Sequence, residues 1–158
     1  MRIIGIDPGL VNTGWAVIDS VGDERRYVAS GVLRPPVKET LAARLSFIFK
    51  ELGDLIDQWK PDVCGIEITF VNNNPTTSLV LGHARGAAIL AVSTRDIPVY
   101  EYEPNKIKKA ISAAGHADKG QVERMVRILL PKALPKSPDE SDALAIALCH
   151  ANHIKVKF

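Results

Sequence analysis

The chain has 158 residues, of which 46% are hydrophobic and 24% are charged. This length fits one domain, and the composition excludes a disordered tail, a collagen-like fibre and a coiled coil. The formal net charge is only +2, from 20 Lys and Arg against 18 Asp and Glu, which at first argues against a protein that binds a polyanion. We therefore expect a single domain over residues 1–158 and examine its charge along the chain.

Cysteine usage and hydropathy bear on the compartment. Cys64 and Cys149 lie in apolar runs at a separation that matches no zinc site, so we expect buried, reduced thiols. The apolar stretch at the N-terminus is too short for a signal peptide. The longest charge-free apolar run, Ala143 to Ile154, is shorter than the roughly 18 residues that would suggest a membrane span. We expect a soluble, cytoplasmic protein with no membrane partner.

The first third of the chain has the pattern of β-strands. Its apolar segments are short, rich in β-branched and aromatic residues, and bounded by turn formers. They predict strands from Arg2 to Ile6, from Thr13 to Asp19 and from Arg25 to Arg34. Because the connections are too short for crossover helices, we predict an antiparallel meander.

After Pro36 the hydrophobic period changes to that of helices. Leucine and isoleucine recur three or four residues apart and predict a helix from about Glu39 to Trp59. Val63 to Ile66 reads as a strand that is buried on both faces. The remaining predicted elements are a helix from Thr76 to about Thr94, a strand from Ile97 to Tyr100, and helices from Asn105 to Ala113, Lys119 to Leu130 and Ser141 to His153. This alternation predicts an α/β fold with a mixed sheet and helices on both faces.

Acidic residues follow two of the apolar strands. Asp7 comes directly after Ile3-Ile4-Gly5-Ile6, and Glu67 comes directly after Val63-Cys64-Gly65-Ile66. The carboxyl ends of strands are where α/β sheets usually place their ligands. Asp7 alone also fits a turn residue in Asp7-Pro8-Gly9. Two such acids are costly to bury unless they meet a cation, which favours a binding site.

Two further acids lie at the start of the last predicted helix. Asp139 and Asp142 are three residues apart on one helix face, and acids in a first turn also favour the helix dipole, so this pair has an ordinary structural explanation. The helix that follows Asp142 is too apolar for the surface, which carries this acid inward. If the pair converges with Asp7 and Glu67, mutual repulsion demands a divalent cation. Oxygen ligands favour Mg²⁺ or Mn²⁺, and four carboxylates suit two metal ions that serve phosphodiester hydrolysis.

Several motifs occur in the order found in one protein family. They are Gly5-Ile6-Asp7-Pro8-Gly9 with Thr13-Gly14-Trp15-Ala16-Val17, then Ile66-Glu67, Gly82-His83-Ala84-Arg85-Gly86, and the segment from Asp139 to Ala147. Over nearly the whole chain they resemble the RuvC-type Holliday-junction resolvases of bacteria. The resemblance implies a ribonuclease-H-like fold with a five-stranded sheet, a homodimer, and cleavage of four-way DNA junctions by paired nicks with two Mg²⁺ per subunit. It also implies that Asp7, Glu67, Asp139 and Asp142 are the catalytic carboxylates, and that the branch-migration proteins RuvA and RuvB are partners.

Positive charge is concentrated in one segment. Between Asn105 and Ser137 there are eight basic and two acidic residues, a local balance of +6, which leaves −4 for the rest of the chain. A basic run is often only a solvated helix face. Beside four acids, however, a nuclease needs cations to hold the phosphates that its carboxylates repel. The resemblance implies that Lys108 and Lys119 lie near the scissile phosphate.

Four other side chains have two interpretations. Phe70 fits a core residue or, as the resemblance supports, an aromatic ring that stacks on an unpaired base. Arg85 fits either a DNA phosphate contact or an ion pair on a helix surface. We interpret His150 and His153 as residues of a solvated helix end and not as metal ligands.

The predicted second long helix carries a stripe of small residues. Gly82 and Gly86 are four residues apart, which lets another helix approach closely. Together with the dimer that the resemblance implies, this predicts an isologous helix contact with a second copy. We expect Leu79 and Leu90 of the same helix to face the core.

Three alternatives remain open. The same fold supports a nuclease that acts on structured RNA, as in the related YqgF type. Asp7-Pro8-Gly9 followed by a strand also resembles the phosphate-binding hairpin of actin-like phosphotransferases, although such proteins usually need two related domains. A DNA-binding module without catalysis would carry the same basic segment, but the four intact acids argue against it.

Overall fold

The computed structural model describes residues 1–68, 74–112 and 117–155. In chain order its elements are β1 (Arg2–Asp7), β2 (Thr13–Val21), β3 (Glu24–Leu33), α1 (Leu41–Trp59), β4 (Val63–Glu67), α2 (Pro75–Ser93), β5 (Val99–Tyr102), α3 (Pro104–Ser112), α4 (Lys119–Leu129) and α5 (Pro138–Lys155). Within these described ranges, no helix is both long and apolar enough to cross a membrane.

The strands form one mixed sheet with the order β3-β2-β1-β4-β5. β1, β2 and β3 pair antiparallel through short turns, whereas β4 pairs parallel with β1 and β5 pairs parallel with β4. The long crossover through α1 places β4 beside β1, as parallel strands require. The predicted α/β fold, with an antiparallel meander followed by parallel strands, is confirmed.

The two faces of the sheet are covered by different helices. Alternate residues of β1 point to opposite faces, so Ile4 and Ile6 pack with residues of α1 and α2, whereas Ile3 packs with residues of α3, α4 and α5. Each face therefore has its own apolar core. By the same alternation, Asp7 and Glu67 point to the α5 face.

The helix α5 lies unusually close to the strands because glycines face it. A Cβ at Gly5 of β1 would lie 2.8 Å from the backbone nitrogen of Ala147, and one at Gly14 of β2 would lie 2.7 Å from the carbonyl carbon of Asp139. Real Cβ atoms do not tolerate such distances, so only glycine fits at these two positions. At its start α5 is also tied to β3, because the Ser30 hydroxyl donates a hydrogen bond of 3.0 Å to the Glu140 carboxylate.

Two expectations about burial are wrong. Leu79 and Leu90 are 65% and 53% exposed, because the core side of α2 is filled by alanines that let α1 and the sheet approach. His150 is buried, not solvated: its Nδ1 lies 2.6 Å from the hydroxyl of Tyr102, within hydrogen-bond distance. Cys64 and Cys149 are buried free thiols, as predicted.

Candidate active site

The first two acids meet where β1 and β4 end side by side. In the parallel pairing of these strands Gly5 is level with Gly65 and Ile6 with Ile66, so Asp7 and Glu67 follow at the same edge of the sheet. Both side chains are partly buried and lie on the α5 face. The adjacency of β1 and β4 thus explains how residues 60 positions apart in sequence join one site.

The helix α5 supplies the other two acids. Asp7 is paired in register with Gly14, and the backbone of Asp139 lies directly over Gly14. Asp142 is one helical turn further on, on the same face of α5. Because the glycines of the strands have no side chains, α5 packs close to the sheet, and its acids lie beside those of the sheet.

Electrostatic coupling shows that the four carboxylates share one region. The pKa of Asp7 is raised from 3.8 to about 7, mainly by burial and then by the charges of Asp142, Glu67 and Asp139, in that order of importance. Burial is also the main reason that the pKa values of Glu67 and Asp142 are raised. A cluster of this kind favours a bound cation, because a cation would allow all of its carboxylates to ionise.

Two lysines oppose this negative charge. Lys119 lowers the pKa values of Asp7, Glu67 and Asp142, and Lys108 lowers those of Glu67 and Asp142. Both lysines line a cavity of about 210 Å³ together with Glu67 and Asp142, and its apolar walls come from α3, α4 and α5. The cavity therefore has two acids and two cations in its lining.

Local structure fixes where Lys119 lies. Lys119 is the first residue of α4, and the preceding Asp118 caps that helix. The Asp118 carboxylate accepts a hydrogen bond of 2.8 Å from the Gln121 backbone N–H, and the Gln121 side chain accepts one of 3.0 Å from the Asp118 backbone N–H. This reciprocal capping box holds the start of α4, and with it Lys119, against the cavity.

The turn after Asp7 is held by a buried threonine. The hydroxyl of Thr13 donates a hydrogen bond of 2.7 Å to the Gly9 carbonyl and accepts one of 3.2 Å from the Gly9 N–H. Thr13 is fully buried. It closes the loop from Gly9 to Thr13, which begins two residues after Asp7, a role that the sequence motif alone did not indicate.

The donor set fits a hard divalent cation. The acidic groups that act on Asp7 are all carboxylates, and oxygen ligands suit Mg²⁺ or Mn²⁺. Among the described residues, no three His, Cys, Asp or Glu side chains lie close enough together to form a finished ligand set. The four carboxylates nevertheless interact electrostatically, since the charges of the other three all act on Asp7.

A family model described as crossover junction endodeoxyribonuclease RuvC matches residues 3–150, which include all four acids and both lysines. The chain belongs to this RuvC family. Among curated relatives, the RuvC of Bartonella henselae (strain Houston 1) is 48% identical over 153 residues, which is 97% of this chain and 90% of that protein. The RuvC of Bradyrhizobium sp. (strain ORS 278) is 50% identical over 97% of this chain and 87% of that protein.

Solved structures agree with the RuvC assignment. The structure of Thermus thermophilus RuvC has a TM-score of 0.90 and 31% identity over 99% of this chain and 96% of that one. The same protein in complex with a Holliday junction substrate has a TM-score of 0.92. The yeast mitochondrial Holliday junction resolvase Ydc2, at 12% identity and a TM-score of 0.69 over 95% of this chain and 78% of that one, shares the fold alone. The ribonuclease-H-like fold is confirmed, and the RNA nuclease and the non-catalytic module are not favoured.

The structure brings most of the predicted site residues together. The four acids, Lys108 and Lys119 lie around one region, whereas Phe70 falls outside the described residues. Arg85 lies next to the site and contacts Glu101, a residue that the sequence analysis did not single out. No local pattern marks Glu101, since the contact joins two elements that are distant in sequence.

Proposed function

We propose that this RuvC-family protein resolves four-way DNA junctions by paired symmetric nicks, with Asp7, Glu67, Asp139 and Asp142 holding two Mg²⁺ per subunit and Mn²⁺ as a possible substitute. The observation that carries the proposal is the joint presence of acids and lysines around one cavity. Residues 1–158 serve as one nuclease domain in homologous recombination and DNA repair.

The acids and lysines have complementary tasks. When bound, two Mg²⁺ supply an activated water and stabilise the charge on the leaving oxygen of the phosphodiester. The partly buried carboxylates hold the cations. Lys108 and Lys119 attract the phosphate, which the acids alone would repel, and stabilise the charge that develops on it.

Aromatic stacking completes the proposed contact with DNA. Phe70 lies three residues beyond Glu67 in sequence, and we assign it to stacking on a base that is unpaired at the junction centre. Such stacking tolerates any base and so suits a structure-specific enzyme. Arg85, for which the sequence allowed a phosphate contact or an ion pair, pairs with Glu101 in the structure and is left out of the proposed DNA contacts.

A homodimer would use the exposed face of α2. Leu79, Gly82, Gly86 and Leu90 lie along this face, and between α1 and α2 there is a cavity of about 440 Å³ with mainly apolar walls. Isologous contact through this face gives two active sites related by a twofold axis, which matches a junction of near-twofold symmetry. We propose the cytoplasm as its compartment, since both cysteines are free thiols, and RuvA and RuvB as the partners that the resemblance implies.

The test is cleavage of a mobile synthetic four-way junction with each strand labelled in turn. With Mg²⁺ we expect paired nicks at symmetric positions in two opposing strands and ends that a ligase can seal. Without divalent metal we expect binding and no cleavage. Equal cleavage of linear duplex DNA or of structured RNA would contradict the assignment.

Asp7→Asn is the matched variant for this assay. It keeps the size of the side chain and removes one negative charge, so junction binding should be kept or improved while cleavage falls by orders of magnitude. Sedimentation of the same preparations tests the dimer. Cleavage by Asp7→Asn at the wild-type rate would show that the acids are not the catalytic site.

A further inference from the structure

The Arg85 side chain joins three elements behind the active site. From α2, its Nε donates a hydrogen bond of 3.2 Å to the backbone carbonyl of Glu67 at the end of β4. Its Nη2 forms an ion pair with Oε1 of Glu101 on β5. The Arg85 side chain is 21% exposed, so the guanidinium is largely enclosed by these contacts within the protein.

The pair lies on the opposite face of the sheet from the acids. In the pairing of β4 with β5, Glu101 is level with Ile66, whereas Tyr102 is level with Glu67. Ile66 packs in the core beneath α1 and α2, and Tyr102 contacts His150 of α5. Arg85 and Glu101 therefore hold the end of β4 from behind, while the Glu67 side chain faces α5.

From this geometry we propose that Arg85 and Glu101 form a positioning pair for Glu67, and that Arg85 acts on cleavage through this pair and not through contact with DNA. The Glu67 carbonyl is fixed by Arg85, and Arg85 is fixed by Glu101. The direction of the Glu67 side chain depends on that backbone, since Glu67 is the last residue of β4. The inference rests on the proposed function, in which Glu67 is a metal ligand.

The pair is suited to mutagenesis because its loss should not unfold the protein. Ion pairs with partly exposed partners contribute little to stability, and the Glu101 side chain is 47% exposed. A backbone carbonyl that loses its donor at the end of a strand can bond to water instead. Effects on cleavage can therefore be separated from effects on folding.

The central experiment compares wild type with Glu101→Gln, which removes the charge of residue 101 and keeps its size. The cleavage rate is measured on junction already bound to the protein, and the junction Kd is measured over a range of salt concentrations. We expect the rate to fall about tenfold or more, since misplacement of a catalytic group by about 1 Å can cost about a hundredfold. The Kd and its salt dependence should stay close to those of wild type.

Three further variants test the coupling and its specificity. Arg85→Gln should lower the rate to a similar degree, and the double variant should be little worse than either single one, because both remove the same contact. Glu101→Asp keeps the charge and should recover part of the rate. Asp57→Asn breaks a comparable ion pair with Arg95, Nε to Oδ1 2.7 Å, at the far end of α2, and should cleave like wild type.

Different results overturn different statements. A wild-type rate for Glu101→Gln would overturn the positioning pair. So would an Arg85→Gln variant whose junction affinity falls and whose salt dependence weakens by about one ion, since that is the sign of a lost phosphate contact. A wild-type protein that binds the junction and does not cut it would overturn the proposed function itself.

Discussion

Replacement of Gly14 by alanine tests how closely α5 must approach the sheet. A Cβ at position 14 would lie 2.7 Å from the carbonyl carbon of Asp139 and 3.2 Å from its Cβ. The Asp139 carbonyl oxygen would lie closer still, and because carbon atoms pack at about 3.5 Å or more, the start of α5 must move by at least about 0.8 Å to make room for the methyl group. Overpacking of this kind costs about 1–3 kcal/mol of stability.

The displacement should affect catalysis more than binding. It moves Asp139 and Asp142 away from Asp7, and a shift approaching 1 Å predicts a loss of about 10- to 100-fold in the cleavage rate. Junction affinity should change little, since Lys108 and Lys119 lie on α3 and α4. The assays are single-turnover cleavage of a four-way junction, equilibrium binding and thermal unfolding.

Gly53→Ala in α1 is the control for this variant. A Cβ there would meet the Arg95 guanidinium, with Nη2 at 2.6 Å, and this end of a flexible side chain can move aside. Alanine also has the higher helix propensity. We expect Gly53→Ala to cleave at the wild-type rate. If Gly14→Ala keeps both wild-type stability and the wild-type rate, then the close approach of α5 does not position the acids.

Three more results are expected. Without divalent metal, thermal stability should fall as pH rises from about 4 to 7, because Asp7, with its pKa raised to about 7, keeps a proton that the unfolded chain has already lost. In EDTA, the stability of Asp7→Asn should depend less steeply on pH. An equal dependence in both proteins would show that Asp7 is not the group responsible. Lys119→Ala should slow cleavage and weaken the salt dependence of junction binding by about one ion, and an unchanged dependence would place Lys119 away from the phosphate. Tyr102→Phe leaves the buried His150 Nδ1 without its partner at 2.6 Å, so the free energy of unfolding measured with denaturant should fall by about 1–3 kcal/mol. An unchanged free energy of unfolding would mean that water replaces the hydroxyl.

The parts of the site that follow strands were predictable from sequence. The strand patterns end at Asp7 and Glu67. When two such strands are parallel neighbours, the acids at their carboxyl ends lie at the same edge of the sheet. The sequence predicted a mixed sheet but gave no strand order, so it did not establish that β1 and β4 are neighbours. The acids of α5 were assigned to the site mainly by the family resemblance, because acids in the first turn of a helix are also explained by the helix dipole.

Residues whose role depends on a tertiary contact were missed or misread. The helix α2 is apolar on nearly all sides, so its sequence did not reveal that Ala84 and Ala88 face the core while Leu79 and Leu90 face outward. The same holds for His150, which is buried beside Tyr102 of a strand distant in sequence. Glycines within β1 and β2 were the available signal for the close approach of α5, since glycine in a strand often marks a neighbouring backbone.

The contact between α5 and the strands also joins the two ends of the chain in one site. Asp7 lies on the first strand, whereas Asp139 and Asp142 lie on the last helix, so a growing chain can form its meander long before it has all four acids. The helix that completes the core is thus the one that completes the site. A chain whose synthesis has not reached α5 therefore lacks two of the four acids that we propose to hold the metal ions.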